Sequence, residues 1–272
     1  MKFIKNFFVG LLIGFGAILP GVSSGVFCVI FGIYDKLIAA CSSLFKDFKK
    51  NFSFLFPIGM GAILGVILFG NIIKLLFFHF ESECKFAFIG LILGSLPVLF
   101  KRIYNFSNFY IINIKKAVRI IVPMLISFLV GLSLIFVENS MNFQNTSLSI
   151  SSNYLYLFVC GLLMSAGVII PGVSNTLILM CLGVYPSYIN AISSLNTAVL
   201  LPLGIGLIIG CAIWIKLIEL LLKNYYQTTF SIIIGFTLGS IFVLLPKTFF
   251  ITHIFLLFAG FAISFALSKK HQ

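Results

Sequence analysis

Two short stretches carry the residues best suited to holding an anion: Pro20-Gly21-Val22-Ser23-Ser24-Gly25 and Pro171-Gly172-Val173-Ser174-Asn175-Thr176. Each sets a helix breaker, a glycine and small polar side chains in the middle of an apolar run. Proline ends one helix, and the residues after it start the next. Ser23, Ser24, Gly25, Ser174, Asn175 and Thr176 therefore fall in a first helical turn. There the backbone N–H groups have no helical partner and the positive dipole end favours an anion. Two such starts brought together suit a phosphate or a carboxylate. Two half-charges do not neutralise a phosphomonoester of about −1.5 to −2, so a proton, a counter-ion or a basic side chain must supply the rest. Lys101 and Arg102 are the candidates for that part. The simpler alternative is a Pro-Gly kink whose hydroxyls only satisfy freed carbonyls.

The elements that position these stretches are duplicated. The two prolines lie 151 positions apart, and the match runs outward from Gly16 against Gly167 to Gly32-Ile33-Tyr34 against Gly183-Val184-Tyr185. Further on, Pro57, Gly59, Gly61 and Gly65 answer Pro202, Gly204, Gly206 and Gly210, and Gly90, Gly94 and Ser95 answer Gly235, Gly239 and Ser240, with the offset reduced to 145. Small residues at these spacings let helices approach closely, so these glycines are expected to pack rather than bind.

Composition supplies the solvent. Of 272 residues, 61% are hydrophobic and 9% charged, and the mean hydropathy is +1.19. A soluble domain carries about a quarter charged residues. Broken apolar pieces at 7–19 and 22–33 are followed by a charged, amphipathic link at 35–51 and by long apolar segments near 53–79, 85–100 and 117–137. The second half repeats the plan, with broken pieces at 154–170 and 173–185 and long segments near 198–222, 229–245 and 249–268. The expected domains are a first repeat at 1–137, a linking loop at 138–153 and a second repeat at 154–272.

A net charge of +12 points to nucleic acid in a soluble protein, but the positive-inside rule accounts for it here and no nucleic-acid partner is expected. If each broken pair enters and leaves on one face, 15 of the 18 Lys and Arg fall on one side, and only Lys74, Lys85 and Lys247 fall on or near the other. Spanning kinked helices would split them almost evenly. Re-entrance is therefore expected, with both termini cytoplasmic. Three crossings per half then invert the second repeat. The expected fold is an all-α polytopic membrane protein of two inverted-topology repeats, each a re-entrant broken-helix hairpin plus about three transmembrane helices, an architecture of transporters. Lys74, Lys216 and Glu219 lie near segment ends, where snorkelling explains them, and His79 and His253 receive no role. The six cysteines show no metal or redox spacing. No metal, cofactor or catalytic residue is expected.

Taken together, Pro20-Gly-Val-Ser, Gly32-Ile-Tyr-Asp-Lys-Leu-Ile, Gly90-Leu-Ile-Leu-Gly-Ser-Leu-Pro97 and Pro171-Gly-Val-Ser resemble the PopT-type family of polyprenyl-phosphate translocases (domain of unknown function 368), over roughly residues 5 to 265. The resemblance implies a bacterial inner-membrane protein that returns undecaprenyl phosphate from the outer to the cytoplasmic leaflet, recycling the carrier for peptidoglycan and other surface polymers. The implied partners are that lipid, or a related polyprenyl phosphate, and the bilayer. This chain has Ala17 where the family usually has Asp, Ser24-Gly25-Val26 for Gly-Gly-Thr, and Ser174-Asn175-Thr176 for Ser-Gly-Ser. Proton coupling through that Asp is therefore not expected of this chain, while the polar, anion-facing character of both tips is kept.

Two other functions fit the same residues. A carrier or channel for a small anion would use the tips as its filter. A membrane-embedded lipid pyrophosphate phosphatase shares the repeats and a Pro-Gly-x-Ser motif. Its chemistry needs a cation on the transferring phosphoryl group and a positioned acid or base. Such enzymes carry an arginine after the motif serine and a glutamate cluster. This chain has Ser24 and Asn175 there and no such cluster, so no enzyme is expected.

Overall fold

The glycines that recur at matched positions decide how the helices pair. The computed structural model describes residues 2–18, 23–105, 114–140, 153–194, 196–246 and 250–269. These form α1 (Lys2–Ile18), α2 (Ser24–Ile30), α3 (Tyr34–Ser42), α4 (Phe48–His79), α5 (Glu81–Asn105), α6 (Ile114–Ser140), α7 (Tyr154–Ile169), α8 (Asn175–Cys181), α9 (Tyr185–Ser194), α10 (Thr197–Asn224), α11 (Tyr226–Val243) and α12 (Ile251–Lys269). Among the described residues there is no strand.

On α1 and α4, a Cβ on Gly10 or Gly14 would stand 2.1 Å from the carbonyl oxygen of Ile58 or Ala62, and one on Gly61 would stand 2.1 Å from that of Phe7. The same approach recurs between α7 and α10, where Gly161 meets Leu203 and Gly206 meets Phe158. Each pair runs parallel, with backbones in a contact that only glycine permits. The longer-range pairing crosses the halves. Gly90 and Gly94 of α5 pack on Leu257 and Phe261 of α12, while Gly235 and Gly239 of α11 pack on Met124 and Gly131 of α6. The glycines expected to pack do so, apart from Gly59 and Gly204, which have nothing within 4 Å.

The segment read as a charged link, 35–51, is largely helical. Each returning arm is two helices joined at a left-handed glycine, Gly32 (φ 64°) and Gly183 (φ 67°). The N–H groups of Gly32 and Ile33 donate to Val29 and Cys28, and those of Gly183 and Val184 donate to Met180 and Leu179. This is the Schellman ending, twice over. It bends α3 114° away from α2. Tyr34 and Ile38, one turn apart, bury the inner face of α3. Its far end is fixed where Lys216 of α10 donates to the Ser42 carbonyl at 3.0 Å, where Ser42 Oγ donates to Glu219, and where Asn51 of α4 donates to Ser43 O at 2.8 Å. Glu219 and Lys216 thus have structural partners beyond snorkelling.

Among the described residues, three helices are long and apolar enough to cross a membrane: Phe48–Phe69, Glu81–Ile103 and Thr197–Asn224. The bent pair α2–α3 is a broken span or a re-entrant loop. Against the six crossings expected, the apolar parts of α6, α11 and α12 reach at most 17 residues, the lower end of crossing lengths. The outer faces of the paired helices are apolar, with Ile63, Ile67, Ile208 and Phe255 each more than 60% exposed. Such a surface needs an apolar solvent. The core instead gathers α2, the inner face of α3, and Phe230, Ile233 and Ile234 of α11.

Candidate functional site

The two motifs meet. Gly16 passes under the Phe27 ring and Gly167 under the Asn175 backbone, so each hairpin closes on itself at a matched glycine. The tips then touch across the halves: a Cβ on Gly25 would stand 3.0 Å from Pro171 Cα. On the second tip Pro171 is buried, and Gly172 takes φ 85° against the Thr237 backbone of α11. Pro20 and Gly21 lie outside the described residues.

Ser23 and Ser174 are both buried. Ser23 caps α2: its Oγ accepts the Gly25 N–H at 3.3 Å and lies 3.2 and 3.3 Å from the carbonyl oxygens of Gly167 and Ile170, either of which can take its one proton. Ser24 Oγ makes a longer approach, 3.5 Å, to Val168 O. Tyr34 adds a third link, donating from its hydroxyl to Ile169 O at 3.1 Å. In the second tip Ser174 Oγ and Thr176 Oγ1 are 2.8 Å apart, and Asn175 Oδ1 accepts the Thr176 N–H at 3.0 Å. The hydroxyls of the first tip therefore satisfy the carbonyls freed at the end of α7, as the simpler sequence reading had it. They do so across the duplication rather than within one kink. Six polar side chains thus lie at the meeting of the two halves, Ser23, Tyr34 and Ser174 buried and Ser24, Asn175 and Thr176 partly so.

The basic residues are placed differently. Arg102 sits in the last turn of α5, with Lys101 just before it. Arg102 forms an ion pair with Asp35 at the start of α3 and lies over the Phe230 ring, 5.3 Å from its centroid. Tyr226 of α11 stands beside both Asp35 and Arg102. Arg102 is thus joined to the tips through α3, not placed between them. Sequence reasoning passed over Asp35, Tyr34 and Tyr226. An acid beside an apolar segment in a chain with only six acidic residues was the available signal. Among the described residues no group of three or more His, Cys, Asp or Glu could hold a metal ion.

Comparison with known proteins shows the family. Residues 13–254 match the family model described as undecaprenyl phosphate translocase-like. The chain is 30% identical to a polyprenyl-phosphate transporter of Staphylococcus aureus (strain NCTC 8325 / PS 47) over 249 residues, covering 89% of this chain and 86% of that one. It is 25% identical to a polyprenyl-phosphate transporter of Vibrio cholerae serotype O1 over 264 residues, covering 91% and 78%. No solved structure matches.

Proposed function

Because the chain belongs to the undecaprenyl phosphate translocase-like family, we propose that it is a flippase for undecaprenyl phosphate in the bacterial inner membrane. In this reading it returns the lipid carrier from the outer to the cytoplasmic leaflet for cell-envelope synthesis. The observation that carries the reading is the contact of the two duplicated tips, Gly25 on Pro171 and Ser23 on Gly167 and Ile170. The phosphate passes between these tips while the polyprenyl tail stays in lipid.

Three features support the inverted, re-entrant topology behind it. α4 runs parallel to α1, so the chain is back at its starting level once α2 and α3 are complete, and the α7–α10 pair repeats this. α3 bonds both to the first turn of α4 and to the last turns of α10, as opposed orientation of these equivalent helices requires. Lys36, Lys50, Arg102 and Lys216 gather around α3, and Lys36 and Lys50 edge an open cavity of about 470 Å³. By the positive-inside rule that end is cytoplasmic.

A serine hydroxyl has one proton to give. Ser23 gives it to a carbonyl in this structure and gives it to a phosphate oxygen when the tips part around the head group. Ser174, Asn175 and Thr176 face the same passage from the other half. Two seven-residue helices supply only part of the positive potential, and Arg102 supplies a full charge on the path.

The test is the outer-leaflet pool of undecaprenyl phosphate in cells depleted of every other carrier of this lipid, reported by an antibiotic that binds the lipid phosphate. Expression should lower the pool and restore growth. An unchanged pool with inserted protein would contradict the reading and favour a carrier of soluble anions.

A further inference from the structure

The Arg102–Asp35 pair is built unlike a permanent lock. A structural arginine–carboxylate pair is typically bidentate, with both oxygens bonded. Here the guanidinium meets Oδ2, while Oδ1 is buried with no hydrogen-bond partner among the described residues. A buried acceptor left unmatched is costly, so this carboxylate is an imperfect partner. The arginine, by contrast, is held independently of it. Its side chain is 19% exposed and lies over the fully buried Phe230 ring, and a guanidinium stacked on an aromatic face keeps its plane. Tyr226 stands within reach of both charged groups. The result is an anion site, Arg102 with Phe230 and Tyr226, in which Asp35 is the present occupant.

We propose that Asp35 is a resident counter-ion that fills the Arg102 anion site in the empty transporter and is displaced there by the phosphate of the lipid. This rests on the reading of the chain as a polyprenyl-phosphate transporter. A phosphomonoester brings a charge of about −1.5 to −2 and three acceptor oxygens against one charge and one bonded oxygen. It can take the guanidinium fork two-pronged and accept from the Tyr226 hydroxyl as well. Asp35, 40% exposed, turns to solvent when it leaves. The exchange reaches the tips through the neighbouring residue. Tyr34 holds the Ile169 carbonyl at 3.1 Å, two positions before Pro171, so freeing the first turn of α3 loosens a bond that keeps the tips closed. Asp35 is therefore a positioning residue. It keeps Arg102 neutralised and the tips shut until a phosphate arrives.

The experiment titrates radiolabelled undecaprenyl phosphate into the full chain held in phosphatidylcholine nanodiscs. If Arg102 is free of Asp35 in about one molecule in ten, D35N should bind about tenfold tighter, because the competing occupant is gone. R102Q should bind at least about tenfold weaker. The exchanged pair D35R/R102D keeps an ion pair but takes the guanidinium off the Phe230 ring, and should also bind at least about tenfold weaker. A structural lock predicts otherwise: D35N with wild-type affinity and a lowered unfolding temperature, or D35R/R102D binding as the wild type does. Either result overturns the exchange while leaving the transport reading intact. Failure of the wild-type protein to bind the lipid at all would instead remove the transport reading, and the exchange with it.

Discussion

Gly25 of the first motif and Pro171 of the second lie so close that a methyl group on Gly25 would meet the Pro171 Cα at 3.0 Å, with its ring nitrogen and Cγ at 3.1 Å. Two segments 146 positions apart in the chain thus close on each other at a distance set by the absence of one side chain. Gly25→Ala has to push the tips apart by a few tenths of an ångström. Misplacing groups on a substrate path by up to 1 Å costs as much as about a hundredfold in rate, so we expect a loss of transport of about tenfold. Insertion and unfolding temperature should change little. Translocation in proteoliposomes beside a detergent melt measures both; a fully active Gly25→Ala would separate the tip contact from transport.

Ser23 caps α2 and bonds across the halves. Ser23→Ala should cost about 1–2 kcal/mol, the sum of a cap and a buried hydrogen bond, and should slow transport. Denaturation of the variant beside the wild type reads the first effect and translocation in proteoliposomes the second; wild-type stability would contradict the bond to the second half.

The matched glycines offer a control inside one helix. A Cβ on Gly61 would stand 2.1 Å from the Phe7 carbonyl oxygen, while around Gly59, two residues earlier, there is nothing within 4 Å. Gly61→Ala should lose about 1–3 kcal/mol by overpacking, and Gly59→Ala should be neutral or slightly stabilising, since alanine favours the helix. The repeat predicts the same contrast for Gly206→Ala, 2.0 Å from the Phe158 oxygen, and Gly204→Ala. Equal effects within either pair would contradict the packing.

Tyr34→Phe removes the hydroxyl that holds the Ile169 carbonyl and keeps the buried ring. The expected loss is about 1–2 kcal/mol for the abandoned bond. With that bond gone, hydrogen exchange at the end of α7 should quicken, and exchange mass spectrometry on α7 peptides reads it. Unaltered protection there would remove Tyr34 as the link between α3 and the second tip.

Much of this was legible in the sequence because duplication exposes it. The second Pro-Gly-Val-Ser stretch, most of the glycine spacings and the six long apolar segments correspond to features of the fold, with segment boundaries within a few residues of those read. α3 was legible only as part of an amphipathic link. Its nine residues include Asp35 and Lys36, and nothing local sets apart Tyr34 and Ile38 as the two residues that seat it. Nor does any local pattern reveal that α5 pairs with α12 and α6 with α11. Glycine spacing says that a helix packs closely, not on which partner. Arg102 was read as a charge for the phosphate, but its bond to Asp35 joins residues 67 positions apart, beyond the reach of periodicity. The carbonyls served by Ser23 were hidden for the same reason.

The most direct test of the account is leaflet exchange of undecaprenyl phosphate in sealed proteoliposomes containing the wild-type chain or Ser23→Ala/Ser174→Ala, with entrapped inorganic phosphate as a second reporter. The account predicts that the wild type moves the lipid and retains the soluble phosphate, and that the double variant, inserted to the same level, moves the lipid much more slowly. Unimpaired lipid movement by the double variant, or leakage of inorganic phosphate through the wild type, would contradict it.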